Sequence, residues 1–397
     1  MKLIRIKEYI RNFLFLIQLK YKLYFKSKAY NLVKEPDKCN LIIYRIKGAT
    51  WEVNYLPEVF RICKSSKSMY YHPEQNILLL SKASVLDKSD LVITKDGVVW
   101  DKSYYDNFTK VIPLDGNLLT YNTHQVIVVK NNTKKIAQEC ISLLGVHANV
   151  WAHFIVQFLP KLYYAENAGL LNKNILILIP NYTDAHIKEI LTHYMAKFPS
   201  AQLYIVNSNI EYICEKLYYI PTSSIISNHV HYLMTADEVF PSIVLDHLYK
   251  NMVEPLLKLS SNSLMKYEKV YLVRRNVYRG LKNYADVEAF FENQGFFCVE
   301  PHKLSLTDKV ALFYNAKIIV GPCSSAFSNL IFSQHMTRVL VFSNLIRTIE
   351  PYLSDLASIA GIKLMYVTGR DYSSSIHTDY EIEVSRIEEA YNELLNE

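Results

Sequence analysis

Short apolar runs alternate with segments of helical periodicity over most of this chain, and that alternation constrains its fold more than any other feature. The spacing predicts a helix over 151–168, with Phe154, Ile155, Phe158, Leu159 and Leu162 on its apolar face, and then a strand at 175–179. A helix near 184–197 and strands near 203–206 and 216–220 continue the series up to Pro221. A second series predicts strands at 269–273, 296–299, 317–320, 338–342 and 363–367, with helices over 285–293, 305–315, 326–333 and 384–396. Strands joined through helices run parallel and bury both faces. Two such series with a polar, helix-rich break near 235–265 imply an α/β chain with two doubly wound domains.

The first third reads differently. Apolar runs at 41–44, 77–80, 91–94 and 126–129 have no helical partners, and Asp96-Gly97 between two apolar segments is a hairpin signal. At 397 residues the chain exceeds one ordinary core, and with half its residues hydrophobic and a fifth charged it is not a disordered protein. The expected division is a basic arm over 1–28, an N-terminal domain over 29–236, a helical linker over 237–267 and a C-terminal domain over 268–397.

The formal net charge of +6 is located rather than spread. Residues 1–28 carry Lys2, Arg5, Lys7, Arg11, Lys20, Lys22, Lys26 and Lys28 against Glu8 alone, a net +7 that leaves −1 for the rest. A near-neutral body argues against nucleic acid as a partner, which calls for a basic face on a folded domain. The arm also holds Ile4, Ile10, Phe13, Leu14 and Ile17, too few apolar residues to span a bilayer. A basic amphipathic segment of this kind lies in the headgroup plane of an anionic leaflet, or packs on the protein's own body. The six cysteines, Cys39, Cys63, Cys140, Cys214, Cys298 and Cys323, include no C-x-x-C pair, which gives no support to a zinc or dithiol site.

Three segments carry chemistry. In Ile318 to Asn329 an apolar strand runs into Gly321-Pro322-Cys323-Ser324-Ser325 and straight into a helix. A turn of small residues at a strand's carboxyl end offers N–H groups and hydroxyls to phosphate, or Ser324 simply caps the helix. Val270 to Val273 leads into Arg274 and Arg275, followed by Arg279 and Asn283, where arginines past a strand end can make bidentate contacts to phosphate. In the third segment His153, Gln157 and Lys161 are four apart and share one helix face, with no Asp or Glu one turn from the histidine.

Together these segments resemble glycosyltransferase family 61, which includes bacterial capsule and lipopolysaccharide enzymes. The first family motif is matched by His153, Phe154, Leu159, Pro160, Lys161 and Leu162, and the second by Val270 to Arg275, Arg279, Leu281 and Asn283. The third is matched at Ile319-Val320-Gly321 and Ser328 to Phe332, with Gly295-Phe296, Pro301, Leu304-Ser305 and Leu312-Phe313 similar to the run between the last two. The resemblance covers about residues 145–345. The departures are Cys323 where the family has His, Ser324 and Ala326 where it has Gly, and Gln157 where it has an acid.

The resemblance implies a GT-B-like fold, two Rossmann-type doubly wound domains facing a central crevice, the C-terminal one holding a nucleotide-sugar donor. It implies inverting transfer to a glycan or lipid-linked glycan acceptor, in capsule or surface-polysaccharide synthesis. His153 is the expected general base. Arg274, Arg275, Arg279, Asn283, Cys323, Ser324, Ser325 and Asn329 are the expected donor-binding residues. No D-x-D occurs in the chain, so neither metal nor other cofactor is expected. The alternative is a catalytically inactive member that binds a glycan or a partner. The basic arm implies a cytoplasmic protein peripheral to the inner face of the membrane, the alternative being a soluble cytoplasmic one. Deleting residues 1–28 is expected to release the protein from anionic vesicles at low salt, because the net +7 goes with the arm. Co-sedimentation of the full-length and truncated chains checks this, and a full-length chain that already stays in the supernatant refutes it.

Overall fold

Parallel strands dominate the region where the sequence alternates strand and helix. The computed structural model describes residues 26–48, 50–72, 74–99, 117–121, 124–222, 247–260, 263–275, 280–344, 351–373 and 378–396. The arm's residues 1–25 lie outside that set, whereas Ser27 and Lys28 belong to the strand Ser27–Val33, paired with Val129 and Val128.

Four strands of the first series are parallel to one another, in the spatial order Gln202–Val206, Ile175–Pro180, Asn132–Ser142, Ile210–Tyr219. Numbered along the chain, that order is 3-2-1-4, one half of a doubly wound sheet. Ile175–Pro180 is buried at every position, as a strand covered on both faces must be. The antiparallel strand Gln75–Leu86 continues the sheet beside Ile210–Tyr219, and the short hairpin Val92–Thr94/Gly97–Val99 turns where Asp96-Gly97 predicted it.

The second sheet has six strands, all parallel, in the order Phe297–Val299, Lys269–Leu272, Ile318–Pro322, Arg338–Ser343, Lys363–Thr368, Glu58–Val59. Its five C-terminal strands read 2-1-3-4-5, the other common doubly wound order. The sixth comes from the N-terminal third, with Met365 opposite Glu58 and Tyr366 opposite Val59. Nearby, the Tyr55 amide donates to Asp355 at 3.4 Å, on the helix Pro351–Ile359. The α/β class stands, and the halves share one core: a single cluster of buried side chains runs from Ile177 and Leu162 through Met252 and Leu256 to Phe313, Phe327 and Tyr366. Of the segment expected as a linker, Leu248, Met252, Val253 and Leu256 are buried in that cluster.

The helix expected over 151–168 is helical to Asn167, but its turns Phe154–Phe158 are π-helical between the α-turns Trp151–His153 and Leu159–Asn167. The wide turn buries all five of Phe154 to Phe158, where an amphipathic α-helix would expose some of them. The segment expected as a helix over 326–333 is instead a 3₁₀ helix, Ser325–Phe332.

Gly321 stands where the backbone is crowded, and Gly48 does not. A Cβ on Gly321 would lie 2.7 Å from the Leu272 carbonyl oxygen and 2.9 Å from its Cβ. A Cβ on Gly48 would have nothing within 4 Å. Gly321→Ala is therefore expected to destabilise the protein by about 1–3 kcal/mol, the range for overpacking, because a ladder carbonyl cannot swing aside. Gly48→Ala is expected to change stability by less than about 0.5 kcal/mol, as surface substitutions do. Denaturant midpoints of the two variants check this, and equal midpoints would contradict it.

Candidate active site

In both sheets the parallel strands include a point where the chain leaves one strand for neighbours on opposite sides, and at such a point the carboxyl ends of the strands open a crevice. In the first sheet this lies between Asn132–Ser142 and Ile210–Tyr219. Residues 143–150 and the start of the 151–167 helix follow the first of these strands. In the second sheet it lies between Lys269–Leu272 and Ile318–Pro322, so Arg274 and Arg275 follow one lip and Cys323 to Ser325 the other.

The Trp151 side chain links the two halves close to these strand ends. The Trp151 indole N–H donates to the Asn329 side-chain oxygen at 2.9 Å, across the halves. The Lys309 ammonium lies 4.4 Å from the centre of the Trp151 ring, and the His186 ring meets it edge-on at 6.1 Å. Lys309, on the helix Leu306–Asn315, is only 3% exposed. Burial pulls its pKa down to about 8, against the opposing charges of Asp184 and Glu189. A lysine three residues after Leu306 and four before Phe313 sits in the apolar stripe of its helix, and that anomaly is legible in the sequence.

His153 follows two residues after Trp151. Its Nδ1 and the Gln157 Oε1 are 2.6 Å apart, so the orienting partner one turn away is an amide where an acid was sought. The His147 ring, from the loop before the helix, lies 4.5 Å from the His153 ring. Burial and the His147 charge push the His153 pKa down to about 4, which the bond to Gln157 only partly offsets. The imidazole is thus neutral at pH 7, as a general base requires.

On the opposite lip, Arg274 Nη1 donates to the Cys323 carbonyl and ties the two strand ends together. Cys323 is buried, and its amide donates to the Phe342 carbonyl at 2.7 Å. Ser324 stands at the N-cap position of the 3₁₀ segment, yet its hydroxyl makes no capping bond, so capping does not account for it. Ser325 is exposed, and the Ser328 hydroxyl donates to its carbonyl at 2.5 Å.

The other expected donor-site residues are placed differently. Arg275 turns to the helix Tyr284–Asn293, where it forms an ion pair with Glu288, its Nε donating at 2.9 Å, and that pairing pushes the guanidinium pKa up. Asn283 donates to the Ile382 carbonyl at 2.7 Å, holding the C-terminal segment. Asn329 is 1% exposed and has both ends engaged, its oxygen by Trp151 and its amide by the Ala326 carbonyl at 2.7 Å. Arg279 lies outside the described residues. The structure therefore ties Arg274 to Cys323 and, through the Trp151–Asn329 bond, the helix that carries His153 to the 3₁₀ segment that follows Ser324. Glu300, one residue past the edge strand Phe297–Val299, pairs with Lys303 at 2.8 Å, which holds its carboxyl below the usual range. Among the described residues, Glu288, Glu292 and Cys298 form a group within reach of one ion, but the Glu288 carboxylate is already taken by Arg275.

No curated protein matches the chain significantly. Residues 151–340, from the Trp151 clamp through the Ser324 turn to the next strand, match the family described as Glycosyltransferase 61. Over that stretch, just under half of its length, the chain is similar to glycosyltransferase family 61.

Proposed function

We propose that this protein is a glycosyltransferase that moves a sugar from a nucleotide-sugar donor to a glycan acceptor with inversion and without metal. The observation that carries the reading is the Trp151–Asn329 bond, which ties the helix bearing the neutral His153 imidazole to the 3₁₀ segment that follows the small-residue turn. In an inverting displacement the base takes the acceptor's hydroxyl proton while the sugar's bond to phosphate breaks, and fixed donors hold the leaving phosphate. His153 Nε2 is the proposed base. Arg274 and the amides and hydroxyls of Ser324 and Ser325 are the proposed phosphate partners, doing with fixed positive groups what a bridging metal does elsewhere. The absence of any D-x-D in the sequence supports the metal-independent form. In this reading the two sheets act as the two domains of a GT-B-like enzyme, with the donor on the C-terminal one. The basic arm would hold the enzyme at the inner membrane face, where lipid-linked glycans for a capsule or surface polysaccharide are assembled.

A second reading, a glycan- or partner-binding member without turnover, draws on two observations: Gln157 offers no charge to an imidazolium, and Arg275 is committed to Glu288. A panel of UDP-, GDP- and CMP-sugars separates the two readings, since only the enzyme hydrolyses or transfers from one of them.

His153→Ala is expected to lower turnover about 100-fold or more while donor affinity stays the same, as loss of a base does. Near-wild-type turnover in the folded variant would reject the assignment and move it to Glu300 or His147. Arg274→Ala is expected to weaken nucleotide binding roughly 10–100-fold, the range for a lost charge-assisted hydrogen bond. Arg275→Ala is expected to weaken it less, because its guanidinium is held by Glu288. Calorimetric titration with the nucleoside diphosphate of the active donor measures both, and an unchanged affinity in Arg274→Ala would remove it from the site.

A further inference from the structure

The catalytic histidine's partner is an amide, and an amide oxygen has one role in a hydrogen bond. It accepts, so the proton between it and an imidazole nitrogen belongs to the imidazole. With Gln157 Oε1 2.6 Å from His153 Nδ1, the ring carries its proton on Nδ1 and presents a lone pair at Nε2. Gln157 is 6% exposed, within the π-turn where every residue from Phe154 to Phe158 is buried, so packing holds its side chain in place.

We infer that Gln157 is a positioning residue whose side-chain carbonyl fixes His153 in the Nδ1–H tautomer and leaves Nε2 as the proton acceptor. This rests on His153 being the base. A carboxylate at the same place would fix the same tautomer but would also pair with the imidazolium once formed; the amide does only the first. Among the described residues, the groups that act on the charge of the His153 ring are Gln157 and His147. His147 faces the His153 ring from the preceding loop, and Lys309 and His186, from the two helices packed nearby, face Trp151. The imidazolium is therefore disfavoured, and the base stays deprotonated well below neutral pH, with its pKa down to about 4. The chain thus combines a correctly aimed lone pair with low basicity, and its activity extends further into acid than that of an enzyme with a carboxylate at this position.

Two measurements test the inference, using the full chain and the nucleotide sugar selected from the panel. First, in ¹⁵N-histidine-labelled protein, the His153 signals, assigned by their loss in His153→Ala, are expected to show a protonated Nδ1 and an unprotonated Nε2. Gln157→Leu is expected to give a tautomer mixture, with kcat reduced several-fold and the donor KM unchanged. Second, the activity that is lost as pH falls through the base's pKa is expected to be lost about 1–3 pH units higher in Gln157→Glu, the shift produced by an adjacent opposite charge. A wild-type Nε2–H tautomer, or an unchanged tautomer in Gln157→Leu, overturns the positioning role. An acid limb at the same pH in wild type and Gln157→Glu overturns its effect on the base. Near-wild-type turnover in His153→Ala, by contrast, sinks the base reading and leaves the tautomer result standing, so the two failures are told apart.

Discussion

The geometry of the candidate site hangs on the indole of Trp151. Its N–H is satisfied by Asn329 from the other half of the molecule, and its face is covered by the ammonium of Lys309. A buried indole N–H with no acceptor costs about 1–3 kcal/mol, and a cation held over a desolvated ring contributes up to about 2 kcal/mol. Both interactions have directions, unlike the apolar packing around them, so they fix where one half sits on the other as well as how tightly. His153 is two residues from one end of the clamp, and Ser324 five residues from the other. A displacement at the indole would therefore reach both partners of the proposed chemistry.

Close backbone approach recurs on both sides of this clamp. Gly321 admits the backbone of Leu272 on the second sheet. In the loop leaving Asn132–Ser142, a Cβ on Gly145 would lie 2.4 Å from the Phe158 ring and 2.5 Å from an Asp90 oxygen. The other oxygen of Asp90 accepts from the Val146 amide at 3.2 Å, fixing the loop that carries His147. Small residues thus allow strand ends, loop and helix to converge, while polar groups set their register.

The five C-terminal strands of the second sheet were legible because each is a short, nearly continuous apolar run between helical segments, as in Ile318-Ile319-Val320. Asn132–Ser142, a central strand of the first sheet, was not, because it reads Asn-Thr-Lys-Lys-Ile-Ala-Gln-Glu before any apolar run begins. Its first four residues are exposed, and only its far end enters the core. Glu58–Val59 was equally hidden, since a two-residue strand has no periodicity to detect. At the site, the residue types drew attention to His153, Arg274 and the Ser324 turn. The directions of Arg275 and Asn283 depended on Glu288 and on Ile382, a partner 99 residues away in the chain, which no local pattern encodes. Gln157 was visible as a departure from the family's acid, but its effect on a tautomer follows only from where its oxygen points.

The strand Glu58–Val59 has a consequence for how the chain reaches its native state. During synthesis it emerges some three hundred residues before Lys363–Thr368, the strand it must border. Contacts across such a separation are slow to close, and parallel pairing has no hairpin to bring it about. Until then Lys363–Thr368 is an open, largely apolar edge of the kind that recruits other chains. The C-terminal sheet is in that sense finished by the beginning of the polypeptide, and a fragment starting at the second βα series would carry an unprotected border.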